Sequence, residues 1–142
     1  MTTRQTRNAG FTLIEILVVM AIIALLAGLV GPRLIRQTEK AALKAARTQV
    51  EMLGTALDTF RLDVGRYPTT QEGLAALSVP IQGSQRWDGP YLKKNVPLDP
   101  WDQAYQYRSP GQQGRPYDLF SYGADSAPGG QGDGADIASW ES

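Results

Sequence analysis

From Phe11 to Val30 the chain is apolar at every position except Thr12 and Glu15. As a helix rising 1.5 Å per residue, this run spans roughly 30 Å, the hydrocarbon thickness of a bilayer. It is followed by Gly31 and Pro32, which loosen or kink a helix because proline lacks one backbone donor and crowds the preceding turn. The periodicity then changes rather than stops. Leu43, Ala46, Val50, Leu53, Leu57, Phe60 and Val64 recur at alternating steps of three and four, so they share one stripe of an amphipathic helix. Lys40, Lys44, Arg47, Glu51, Asp58 and Arg61 fall largely off that stripe and read as solvated or subunit-facing groups. Gly65-Arg66-Tyr67-Pro68 ends the pattern, with glycine suited to a helix C-terminus and a proline beyond it unable to continue the helix.

After this turn the periods shorten. Thr69-Thr70-Gln71-Glu72 before Gly73-Leu74-Ala75-Ala76-Leu77 predicts a capped short helix, closed by Val79-Pro80. Residues 87–92 and 96–101 mix Trp, Tyr and Leu with proline and glycine, the composition of an ordered loop packed on something rather than of a flexible linker. Tyr105 and Tyr107 alternate with Gln106 and Arg108, and beyond the turn-rich residues 110–114, Tyr117 and Leu119 alternate with Asp118 and Phe120. That predicts a β-hairpin whose apolar face covers the Leu43 to Val64 stripe, hence an α+β fold in which a long N-terminal helix packs on a small antiparallel sheet.

The 142 residues support about one ordinary domain plus the apolar segment. Formal net charge is zero, and no basic face for nucleic acid stands out. There is neither cysteine nor histidine, which removes disulfides, thiolate chemistry, the usual zinc sites and His-based triads. Residues 122–137 hold three aspartates, five glycines and no basic residue. Calcium takes six to eight oxygens from carboxylates, carbonyls and water, so this stretch reads either as a calcium loop or as a solvated acidic turn; its spacing does not match an EF-hand.

Composition leaves the first thirty residues open between a disposable secretory signal, with its exit near Ala27-Gly28, and a retained anchor. Basic residues flank the run on both sides, Arg4 and Arg7 before it, Arg33 and Arg36 after it, and the N-terminus is placed in the cytoplasm. Glu15 argues for retention. A carboxylate in lipid is costly and needs a partner, and cleavage after Gly10 would create one, the new ammonium of Phe11. Two other classes compete. A membrane-tethered hydrolase would use acids such as Asp99, Asp102 and Asp118, although loop or turn duty explains each. An exported calcium-binding module would discard its first thirty residues.

Gly10-Phe11-Thr12-Leu13-Ile14-Glu15 resembles the leader junction of type IV pilins and pseudopilins. Residues 65–70, 96–101 and 117–125 resemble the major pseudopilins of type II secretion systems, so the likeness covers nearly the whole chain. The resemblance implies a leader at 1–10, a transmembrane and filament-core helix at 11–32, an amphipathic helix at 33–65 and a periplasmic head at 66–142. It implies that a prepilin peptidase cuts between Gly10 and Phe11 and methylates the Phe11 amine, and that Glu15 meets a neighbouring subunit during assembly. It implies calcium in the C-terminal loop, held by Asp125, Asp136, Asp133 and the Tyr122 carbonyl. The implied partners are further copies of the chain, minor pseudopilins, the peptidase, an inner-membrane assembly platform and the inner membrane itself, with no nucleic acid. The expected role is structural: a pseudopilus subunit that drives folded proteins across the outer membrane. A type IV pilin for motility, adhesion or DNA uptake shares the leader but usually carries a larger, disulfide-stapled head.

Overall fold

A computed structural model of the chain describes residues 10–141, apart from the side chains at 31–35 and at 133. Of the expected leader, residues 1–10, only the last position, Gly10, therefore lies among the described residues. The chain divides into two compact units, one up to Thr38 and one from Glu39 onward. Helix α1 (Leu13–Val64, 52 residues) contributes to both and runs through Gly31 and Pro32 as helix.

In the first unit, Leu13–Val30 has a mean hydropathy of 2.9 with none of it buried. Its first turn is closed by a reciprocal cap. The Glu15 amide donates to the Thr12 hydroxyl at 3.3 Å, and the Thr12 amide reaches the Glu15 carboxylate at a long 3.5 Å.

In the second unit the apolar stripe is the core, as its period requires. Ala46, Val50, Leu53, Leu57 and Phe60 are buried, Ala56 joins them, and Leu43 and Val64 pack at the margins. The helix stops where glycine permits it: Gly65 adopts φ +89°, and its amide closes on the Arg61 carbonyl at 2.8 Å. The expected capped helix is displaced by a turn. Thr69 and Glu72 do cap each other, through Thr69 N to Glu72 Oε2 at 2.7 Å and Glu72 N to Thr69 Oγ1 at 3.2 Å. The backbone they cap is a turn, and the regular element is a short 3₁₀ segment, Leu74–Leu77, which buries Leu74, Ala76 and Leu77. The aromatic loop is ordered by specific bonds: Trp87 Nε1 donates to the Ala76 carbonyl at 2.8 Å, and Tyr91 stands edge-on to Phe60 at 5.5 Å.

Strands β1 (Gln106–Arg108), β2 (Asp118–Ser121) and β3 (Ile137–Ala138) form an antiparallel sheet in that order. Tyr107 pairs with Leu119 and Phe120 with Ala138. Alternation sends Tyr105 and Leu119 into the core beside the helix, and the Tyr105 hydroxyl donates to Gln49 of α1 at 2.5 Å. Burial raises the Tyr105 hydroxyl well above its ordinary pKa, with the nearby Asp99 charge adding to the effect.

Candidate functional site

Two places carry the residues singled out in the sequence. At the junction, Gly10 and Phe11 are exposed and precede the helix, and Glu15 occupies the third helical position. There its carboxylate faces the positive end of the peptide dipoles and the Thr12 amide. Glu15 is thus capable of two duties, local capping and pairing with a cation from elsewhere. Every large side chain of the adjoining span is open: Leu13 is 92% exposed and Leu29 68%. An apolar cylinder of this kind must be covered by lipid or by protein.

The second place is the loop between β2 and β3. Tyr122 precedes a 3₁₀ turn, Gly123–Asp125, which lies against a second turn, Gly132–Gly134. Asp125 Oδ1 accepts the Ala127 amide at 3.1 Å, and Asp136 Oδ2 accepts the Gly129 amide at 3.0 Å. The other oxygen of Asp136, Oδ1, is buried with no hydrogen-bond partner among the described residues. Asp125 Oδ2 lies over the backbone of the second turn, within 2.8 Å of where a Cβ on Gly130 would stand and 2.7 Å of one on Gly134. A Cβ on Gly134 would press on that carboxylate, and one on Gly130 would first meet the Gly134 carbonyl, a constraint that glycine content alone did not single out. The Asp133 side chain lies outside the described residues, and among the described residues no three acidic side chains converge as a metal cluster. Two carboxylates toward the two ends of this loop, one of them with an oxygen left unsatisfied, are donors that suit a hard, oxygen-seeking cation.

The acids weighed for hydrolysis are occupied by the fold. Asp99 is buried and accepts the Trp101 amide at 3.0 Å, the Gln103 amide at 2.8 Å and the Ser121 hydroxyl. Asp118 is fully buried and accepts Arg115 Nε at 2.7 Å, the Gln112 amide at 2.9 Å and Arg108. Burial pushes the Asp118 carboxyl up, but the bonds from Arg115, Gln112 and Arg108 outweigh it and hold the pKa at about 2. Asp102 is exposed in a turn at φ +62°. All three do the loop and turn work expected of them.

Comparison with known proteins places these features in context. Residues 33–140 match the family described as type II secretion system protein G, and residues 5–31 match the prokaryotic N-terminal methylation motif. Type II secretion system core protein G of Pseudomonas aeruginosa is 43% identical over 143 residues, covering 97% of this chain and 99% of that protein. The protein of the same description from Vibrio cholerae is 44% identical over 140 residues, covering 96% and 94%. A crystal structure of the major pseudopilin from the type 2 secretion system of enterohaemorrhagic Escherichia coli matches with a TM-score of 0.60 at 37% identity, covering 77% of this chain and 95% of that one.

Proposed function

We propose, for a chain that belongs to the type II secretion system protein G family of major pseudopilins, that after loss of its leader it polymerises through α1 into a periplasmic filament. Growth of that filament drives folded proteins across the outer membrane. The observation that carries this reading is the Leu13–Val30 span, apolar and open over its whole length yet bearing Glu15 in its first turn. Lipid covers such a span in the monomer; further copies of the same span cover it in a filament.

The steps fall on named residues. A prepilin peptidase cuts between Gly10 and Phe11 on the cytoplasmic side, leaving the whole apolar helix in the product, and the new Phe11 amine is methylated. The anchored precursor sits in the inner membrane with residues 66–142 in the periplasm. Glu15 then takes the Phe11 ammonium of another copy as its partner. That exchange replaces a weak amide donor with a full opposite charge in a low-dielectric setting, where the attraction is large. Minor pseudopilins and an inner-membrane assembly platform complete the partners, and the chain itself acts as a structural subunit.

Calcium belongs to the same reading. Asp125 and Asp136 would hold it, with Asp133 and the Tyr122 carbonyl completing the set. The orphaned Asp136 oxygen and the close seating of the Asp125 carboxylate on Gly130 and Gly134 support this choice. When bound, the ion supplies a multivalent positive charge that ties the start of the loop to its end, a fastening that a chain without cysteine cannot make by disulfide.

Mass spectrometry of the mature N-terminus tests the reading. N-methylated Phe11 is expected; a mature chain starting near Gly28 would overturn it.

A further inference from the structure

The polar side of α1 beyond Glu39 is segregated by charge. Lys40, Lys44 and Arg47 succeed one another at steps of four and three, and Glu51 and Asp58 continue the same stripe at steps of four and seven. All five are exposed, and among the described residues none of them enters an ion pair. Asp58 only accepts the Tyr67 hydroxyl, at 2.8 Å. The three cations stand one turn apart and repel each other; Arg47 has Glu51 one turn beyond it, whereas Lys40 and Lys44 have no carboxylate on the stripe within a turn, so they gain from an anionic surface brought by another copy. Such a surface exists a few turns further on. Glu51, Asp58 and Glu141 border a groove of about 460 Å³ beside α1, with Arg47 as its one cation.

We propose that the Lys40–Lys44 stripe of one copy docks against the Glu51, Asp58 and Glu141 groove of the next, displaced along α1. The inference rests on the filament reading and adds its register. Lys44 lies seven residues before Glu51, and Lys40 eleven. Those separations are two and three turns, so complementary charges recur on one face when copies shift by roughly 10–16 Å along the axis. The occupant is a second copy because both halves of the complementarity belong to this chain. The two surfaces also differ, so the contact is heterologous: each added copy leaves one basic stripe and one acidic groove free, and the array extends rather than closing as a dimer.

The test uses the full chain, expressed in bacterial membranes with its peptidase and assembly platform, with filament yield as the readout. Lys40→Glu with Lys44→Glu is expected to lower the yield roughly tenfold, as is Glu51→Lys with Asp58→Lys. Combining the four restores the yield to about that of the unaltered chain, because the charges are exchanged and their complementarity is kept. Lys44→Gln, which removes attraction without adding repulsion, gives an intermediate loss and separates a docking defect from a folding one. Thermal melting of the detergent-solubilised lysine variants stays unchanged, since among the described residues these side chains enter no ion pair. Reversals that polymerise normally, a four-fold exchange no better than its halves, or reversals that alter membrane association instead of filament yield would each overturn the contact. If the unaltered chain forms no filaments, the filament reading falls and takes this contact with it; if it does and the reversals are indifferent, only the contact falls.

Discussion

Replacing Asp118 by Asn removes one charge from a fully buried side chain while keeping its shape. The carboxylate ties three parts of the hairpin together: Arg108 at the end of β1, the Gln112 amide in the connecting loop, and Arg115 three residues before β2 itself. Its pKa of about 2 lies below the ordinary 3.8, a gap worth roughly 2.4 kcal/mol at 1.36 kcal/mol per pH unit. Because the Arg108 side chain is 42% exposed, solvent screens part of that, leaving about 2 kcal/mol. A group whose pKa is depressed by folding lends its stability above the unfolded value and loses it as pH falls through the folded one. The contribution is therefore complete at pH 7 and disappears between about pH 4 and pH 2. In a fragment beginning at Glu39, the compact second unit, Asp118→Asn is expected to lower the melting temperature by roughly 10 °C at pH 7. The gap to the unaltered fragment should shrink steadily on acidification, as followed by circular dichroism. Glu72, whose carboxyl is also held at about 2 by Arg66, is present in both proteins and cancels. Equal melting temperatures at pH 7, or a gap that persists at pH 2, would refute the reasoning.

Three further outcomes are expected. Leu53→Ala, at a core position with no exposure, should destabilise the same fragment by about 3–4 kcal/mol in urea unfolding, with the slope unchanged. Glu15→Gln keeps a side chain able to cap the Thr12 amide but carries no charge, so insertion and leader cleavage should proceed while filament yield collapses; normal filaments would sink the pairing of Glu15 with an amine. Calcium should raise the melting temperature of the fragment, and Asp136→Ala should abolish the rise; melting curves indifferent to calcium would remove the metal from the loop.

The helix and hairpin were legible because each repeats a period over enough residues to be heard above its neighbours. Seven apolar positions from Leu43 to Val64 mark one face, and Tyr105, Tyr107, Tyr117 and Leu119 alternate across two short runs. Strand β3 was not legible: Ile137 and Ala138 are too few to show a period, and only their pairing with Ser121 and Phe120 makes them a strand. Nor could the sequence distinguish the buried Asp118 and Asp99 from the exposed Asp102. Their burial depends on donors brought in by folding, such as Ser121 for Asp99, 22 residues away. For the loop, the acid content was plain, but the glycines that matter sterically, Gly130 and Gly134, were hidden among three others in the same stretch.

The cap joining Thr12 to Glu15 has a bearing on how subunits wait. A bare carboxylate at the mouth of an apolar helix would seek any nearby cation, and chance pairings in a crowded bilayer would trap subunits off the growing end. Sharing its charge with the Thr12 amide and the helix dipole would make Glu15 tolerable to an isolated subunit, so that, on the filament reading, a reservoir of dormant copies could accumulate in the membrane. The hold is slack, since the amide reaches the carboxylate only at 3.5 Å, and a correctly placed ammonium would outcompete it. Neutral donors drifting past would not. On the proposed pairing of Glu15 with the Phe11 ammonium, the cap would serve as a placeholder whose weakness sets the threshold for recruitment.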